Sequence, residues 1–303
     1  MHKFLRSIGF SQLQDRKELQ KILYDIIHTA KNRSYVSTSE HSVLAEFSRD
    51  FGENIGIAVV GEFDEDNQFQ FDHFYPYLRG NVISSQEDVS IEKHFDNEAY
   101  AGVCDDVKMG VTLIFYLQDT IPYIKAMEKG VLPIKGTTLT LAGLADSGTI
   151  MMPILKNSEE IEKNKKAAND RYHLLAEARQ GNEEAIETLT LEDMDLYTNL
   201  SKKIQKEDVF SLVDTYFMPY GVESDQYSVL GEILGCHLIA NDVTGEHIYL
   251  MTIECNEMEM DICINQKDLL GEPLAGRRFK GNVWLQGAIN YPDAFVNGSD
   301  SQI

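Results

Sequence analysis

No apolar run in this chain approaches the roughly 20 residues that a membrane-spanning helix needs. The longest are short, such as IGIAVV (55–60) and VTLIFYL (111–117). Cations are scarce as well: 27 Lys and Arg stand against 49 Asp and Glu, a formal net charge of −22. Nonspecific affinity for nucleic acid or anionic lipid comes from cations that displace counterions, so this chain is expected to bind neither nucleic acid nor membrane. The four cysteines (Cys104, Cys236, Cys255, Cys263) form no Cys-x-x-Cys pair. That spacing argues against a disulfide scaffold or a zinc site and for reduced thiols in a cytoplasm. Arg6 falls where a signal peptide carries its apolar stretch, which gives the same expectation of a cytoplasmic protein.

The familiar catalytic signatures are missing too. There is no Gly-x-Gly-x-x-Gly, P-loop, Gly-x-Ser-x-Gly elbow or His-Glu-x-x-His. Asp64-Glu65-Asp66-Asn67-Gln68 begins like a calcium loop, but Phe69 and Tyr75 stand where an EF-hand needs glycine and glutamate. The stretch reads as a solvated turn.

What is present is an ordinary globular composition, 43% hydrophobic over 303 residues, which is enough for a sizeable core. The change of period divides the chain into three parts: an α+β domain (1–155), a helical hairpin (156–206) and a β-rich C-terminal domain (207–303). The first opens with a helix, where Ser11 and Gln14 form a capping-box pattern before the stripe Leu19, Ile22, Leu23, Ile26, Ile27, Ala30. NIGIAVVGEF and FQFDHFYPYL predict a hairpin about Asp64 to Asn67. VSIEKHF and GVTLIFYLQ predict strands, with a short helix after Asp119, and TTLTLAGL with GTIMMPIL predicts a second hairpin across Ala-Asp-Ser. Strands that follow one another, rather than alternating with helices, give a largely antiparallel N-terminal sheet.

In the middle part Asn157 and Glu160 suit a helix start and Gly181 a stop, with a second helix from Thr190 to about Lys206. Four C-terminal strands follow: SVLGEILGCHLIAN, HIYLMTIEC, EMDICIN and NVWLQGAINY, with Thr244-Gly245 and Asn256-Glu257 at turns. Val209 to Phe217 would add a fifth. Five strands fit a small OB-like or SH3-like barrel, and also an open sheet.

Few residues point to chemistry. Asp105-Asp106 offers oxygens to a divalent cation, but successive strand residues face opposite ways. His73 and His94 lie on adjacent predicted strands without an evident third metal ligand, so they read as partly buried, hydrogen-bonded histidines. His173 and Glu177, one helical turn apart, read as a surface hydrogen bond. The sequence therefore predicts no cofactor and no tightly bound transition metal.

The odd stretch is RRFKGNVWLQG (277–287). Among residues 229–303 the only cations are Lys267, Arg277, Arg278 and Lys280, against 11 carboxylates. Arg277, Arg278, Lys280 and Trp284 are the candidate ligand-binding residues, for an anion held by the flat arginine forks. The stronger reading is internal pairing with Glu272, Asp268 or the helical hairpin, because local acids outnumber the cations. Alternation leaves open whether Trp284 or its neighbours Val283 and Leu285 face the core.

MHKFLRSIGF at the start, with EDVFSLVDTYFMPYGVESDQYSVLGEI and GEPLAGRRFKGNVWLQG near the end, resembles a family of clostridial-type Firmicutes proteins described as a domain of unknown function. The resemblance implies a bacterial cytoplasmic protein and assigns no activity and no site residues. The resulting expectation is a non-enzymatic binding or regulatory protein that works through a protein or small-ligand surface. A partner with a basic surface would suit its charge; the oligomeric state stays open. The alternative is a hydrolase-type enzyme with a dispersed site such as His73, His94 and Asp105.

Overall fold

The computed structural model describes residues 2–292 except 40–41, 94–98, 107, 133–134, 155–157, 205–212 and 223. The fold is α+β, with two sheets. The first is an antiparallel meander of β1 (Asn32–Ser39), β2 (Ser42–Gly52), β3 (Ile55–Phe63) and β4 (Phe69–Leu78), ordered as in the chain. Between β3 and β4 the carboxylate of Asp64 accepts from the amides of Asp66 and Gln68, and Asn67 is left-handed at φ 57°. The acidic stretch is thus a self-bonded turn. β3 is buried over its first seven residues, so the sheet is covered on both faces there.

α1 (Arg16–Thr29) packs on β2 and β3 through Leu19, Leu23 and Ile26. Its cap is Asp15, which accepts from Lys17 N. The Ser11–Gln14 pattern does not start the helix, because Ser11 is bonded through both its amide and its hydroxyl to Glu246.

The second sheet closes on itself. β8 (Thr138–Met151), β10 (Gln226–Ala240), β11 (His247–Cys255), β12 (Met258–Asn265) and β14 (Arg278–Asn290) pair in the cyclic order β8-β12-β11-β10-β14-β8. Only β12–β8 is parallel within this ring. Counted from β10, the ring runs first, second, third, fifth, fourth, with β8 in the fifth place although it precedes the others in the chain. This is the connectivity of an OB barrel whose last strand has moved to the front; the all-antiparallel order of an SH3 barrel does not accommodate the parallel contact.

Two expectations change here. Residues 138–151 form one continuous strand instead of a hairpin, and Asp146 and Ser147 lie within it beside a bulge opposite Asn282 and Val283. The fifth barrel strand is therefore β8, drawn from before the helical hairpin. Of the segment Val209 to Phe217, residues 209–212 lie outside the described residues, and β9 (Tyr216–Pro219) pairs with β10 beside the ring.

From the rim of the barrel, β14 continues the sheet into β7 (Leu113–Leu117), β6 (Tyr100–Cys104) and β5 (Val89–Lys93), and α2 (Thr120–Glu128) follows β7. A two-residue strand, β13 (Leu269–Leu270), borders β8. The hairpin of α3 (Ser158–Arg179) and α4 (Glu183–Ile204) is inserted between β8 and β10. Gly181 turns the chain at φ 86°, a conformation that suits glycine past a helix end. Asn182 then caps α4 by accepting from the amides of Glu184 and Ala185. α4 accordingly starts well before Thr190.

A 3-10 helix at the N-terminus, Lys3–Ile8, joins the two sheets. Its Phe4, Leu5 and Ile8 share a core with Leu144, Ile248, Cys263 and Trp284 from the outer side of the barrel and with β3 and β4. Ile262, Ile264, Phe279, Val283 and Leu285 fill the barrel interior. That resolves β14: it is buried on both faces, with Trp284 turned to the N-terminal sheet and its neighbours inward.

Candidate functional site

Glu46 is the unusual residue in this fold. It lies in the middle of β2, inside the run Val43-Leu44-Ala45-Glu46-Phe47, and only 8% of its surface is exposed. The register places Ser34, Glu46, Val60 and His73 in one row across the four strands. Above this face run the end of β7, the residues Gln118 and Asp119, and the first turn of α2. Between the two layers is a cleft of about 310 Å³, with Ser34, Glu46, Gln118, Asp119, Tyr123 and Tyr291 among its lining residues. Its size falls at the lower end of the small-ligand range.

The bottom of the cleft is polar and constrained. Glu46 Oε2 accepts from Tyr75 OH at 3.1 Å. Burial, reinforced by the negative Asp119, pushes the Glu46 carboxyl up to about 7, against the pull of the Tyr75 hydrogen bond and Arg79. A smaller cavity of about 10 Å³ adjoins it, walled by Glu46, His73, Tyr116 and Thr120, with room for about one water. On its far side His73 Nε2 meets Tyr116 OH at 3.0 Å, and His73 Nδ1 meets Asp72 at 2.8 Å. Burial raises the Tyr75 and Tyr116 hydroxyls well above the usual tyrosine range.

Gln118 comes to the cleft by a different route. Its Nε2 donates to Leu78 O at 3.0 Å and to Gln286 Oε1 at 2.6 Å, while Gln286 Nε2 donates to Pro76 O at 2.8 Å. The backbone carbonyls thus fix both amides, and Gln118 must present its oxygen on the side away from Leu78. Asp119 occupies the N-cap position of α2 in a left-handed conformation, φ 50°, yet makes no capping bond. Arg79, the cation beside it, is engaged by Asp50 at 2.7 Å and Ser48 at 3.1 Å and lies over the Tyr77 ring.

The residues singled out from sequence are elsewhere or serve other contacts. Arg278 is buried and donates to the carbonyls of Met152 and Val213, at 3.1 and 2.9 Å. Arg277 donates to Glu272 O at 2.7 Å, with the Glu272 carboxylate at 3.8 Å. Lys280 is half-buried on β14 opposite Leu230 and Thr149. Trp284 donates through Nε1 to Asp225 at 2.6 Å, and its ring packs on His2, Phe4 and Tyr116.

Asp105 accepts from Thr112, whereas the buried Asp106 accepts from Ser85 and the Lys108 amide, so the two carboxylates diverge. Glu177 accepts from Asn182 at the end of α3. His94 lies outside the described residues. Burial raises all four cysteine thiols. Among the described residues no three His, Cys, Asp or Glu side chains group to hold a metal, and no helix is long and apolar enough to cross a membrane.

Sequence reasoning passed over Glu46, Gln118 and Asp119. The one signal was a charge inside an otherwise apolar strand, VLAEF, and a polar pair ending another, LIFYLQD.

A model of the family described as "Domain of unknown function, E. rectale Gene description (DUF3881)" matches residues 5–287. No curated protein and no solved structure matches the chain.

Proposed function

The chain belongs to the DUF3881 family, whose extent spans both sheets and the helical hairpin, and we propose that it is a non-enzymatic cytoplasmic protein that binds a small ligand in the cleft beneath α2. The observation that carries this reading is Glu46, a carboxyl nine-tenths buried in a strand interior yet lining an open cleft. Burying an ionisable group costs stability unless it is matched by partners. A residue that imposes such a cost at a cleft is a marker of function.

Two features support a small ligand over a nucleic acid. Net charge is strongly negative. The outer faces of the second and third strands, where OB barrels take oligonucleotides, here carry Ile248, Leu250 and Cys263, which are buried in the core shared with the N-terminal 3-10 helix and the first sheet. The hydrolase alternative has the linked Asp72, His73 and Tyr116 in its favour. Burial raises the Tyr116 hydroxyl, however, the opposite of what activates a nucleophile.

Ser34 is exposed on the edge strand β1, opposite Glu46, so Ser34→Trp should fill the cleft and leave the core intact. In ligand-observed NMR with a library of small polar fragments, binding signals from the parent should vanish in Ser34→Trp. Equal signals from both proteins would place binding elsewhere and refute the reading.

A further inference from the structure

Resting on the cleft as the binding site, we infer that its ligand is a small primary ammonium compound with a short hydrocarbon chain. The walls present acceptors. Glu46 uses Oε2 for Tyr75, its Oε1 takes no hydrogen bond from the described residues, and the side chain lines both the cleft and the small cavity beside it. Gln118, 5% exposed, commits both amide hydrogens to Leu78 O and Gln286 Oε1; its oxygen takes no hydrogen bond from the described residues, and the side chain lines the cleft. Asp119 adds a carboxylate at the mouth with no capping bond to occupy it.

An ammonium group carries three donors and no acceptor, which matches such a set; a carboxylate or phosphate would meet the like charge of Glu46 and Asp119, with only the hydroxyls of Ser34, Tyr123 and Tyr291 among the lining side chains to donate to it. Leu117, Ile121, Pro122 and Ile289 supply apolar wall for an alkyl chain. Tyr123 and Tyr291 place aromatic rings beside it, and ring faces attract cations.

The first turn of α2 lies at the same cleft, and a helix N-terminus favours anions. Its equivalent of about half a positive charge is outweighed by the full negative charge of Asp119 at that end. Arg79 does not reverse the balance, since Asp50 engages it.

The test is isothermal titration of the full chain at pH 8 with three probes of one shape: butylammonium, butyrate and butan-1-ol. The structure predicts binding of butylammonium, with the other two weaker by roughly tenfold or more, the worth of a charge-assisted hydrogen bond. Glu46→Gln should weaken butylammonium by roughly tenfold, and Asp119→Asn, on an exposed residue that leaves the core untouched, should weaken it less. Butyrate or butan-1-ol binding as tightly, and being lost in Ser34→Trp, would keep the cleft as the site and overturn the ammonium assignment. Butylammonium binding that survives Ser34→Trp would overturn both, and heat from none of the three would overturn the assignment.

Discussion

Gln118 and Gln286 meet side chain to side chain at 2.6 Å, each held in place by a carbonyl of β4. Gln286 also accepts from the Leu78 amide at 3.4 Å. This pair ties the edge of the N-terminal sheet to the barrel at the point where β14 passes to β7, and it sets which atom Gln118 turns to the cleft. Replacing Gln286 by Leu leaves Pro76 O without its donor and frees the Gln118 amide. The expected loss is roughly 2 to 4 kcal/mol in urea unfolding, from buried groups left unsatisfied. A change below about 0.5 kcal/mol would show that the joint does not bear on stability.

Glu46→Gln should stabilise the free protein at alkaline pH. The folded carboxyl at about 7 lies above its ordinary 4.5. Below pH 4.5 the carboxyl is protonated in both states; as pH rises toward 7 only the unfolded chain ionises, and stability falls. The total is about 3 kcal/mol for that rise. The variant's melting temperature should therefore exceed the parent's at pH 8, with the gap closing near pH 4. A variant that is less stable at pH 8 would mean that the carboxylate is well compensated.

Glu246 works in the opposite sense. Burial tends to raise its carboxyl, but hydrogen bonds from Lys267, Ser11 and Asn265 hold it below the usual carboxylate range. A depressed carboxyl contributes stability above its unfolded value and loses it as pH falls through its folded value. The group clamps the segment after the N-terminal 3-10 helix to the barrel. Glu246→Gln should thus melt earlier than the parent at pH 7, and the difference should shrink in acid. A pH-independent difference would assign the loss to packing alone.

The two arginines of the basic stretch should separate cleanly. Arg278 is 7% exposed and donates to the carbonyls of Met152, Val213 and Asp214, so Arg278→Ala should cost about 2 to 4 kcal/mol, from charge-assisted hydrogen bonds lost and carbonyls left unsatisfied. Arg277 lies nearer the solvent, and Arg277→Ala should cost less than about 1 kcal/mol. Thermal melts of the two variants check this. Equal losses would mean that the exposed pair with Glu272 carries more than its geometry indicates.

Much of the fold was legible where one face is buried and one is wet. The α1 stripe, the β3–β4 hairpin and the turn at Asn256-Glu257 follow from periodicity and turn chemistry. The barrel could be counted but not assembled: Ala145-Asp146-Ser147 has turn composition, and only pairing with β12 and β14 makes it strand interior. Trp284 could not be oriented because β14 is buried on both sides, which removes the alternation. The cleft was invisible for a related reason. Glu46, Gln118 and Asp119 come from β2 and from the β7–α2 corner, and nothing in their local spacing records that the fold brings them together.

Whether Glu46 is a buried, ligand-facing carboxyl is measured directly by ¹³C NMR of its side-chain carboxyl across a pH titration. Tyr75, Asp119 and Arg79 face it, with His73 and Tyr116 across the small cavity. In the free protein the midpoint should fall at about 7, and saturating butylammonium should move it down, since a cation favours the ionised form. Binding should accordingly strengthen as pH rises through 7. A midpoint near the ordinary 4.5 that butylammonium leaves unmoved would contradict the account.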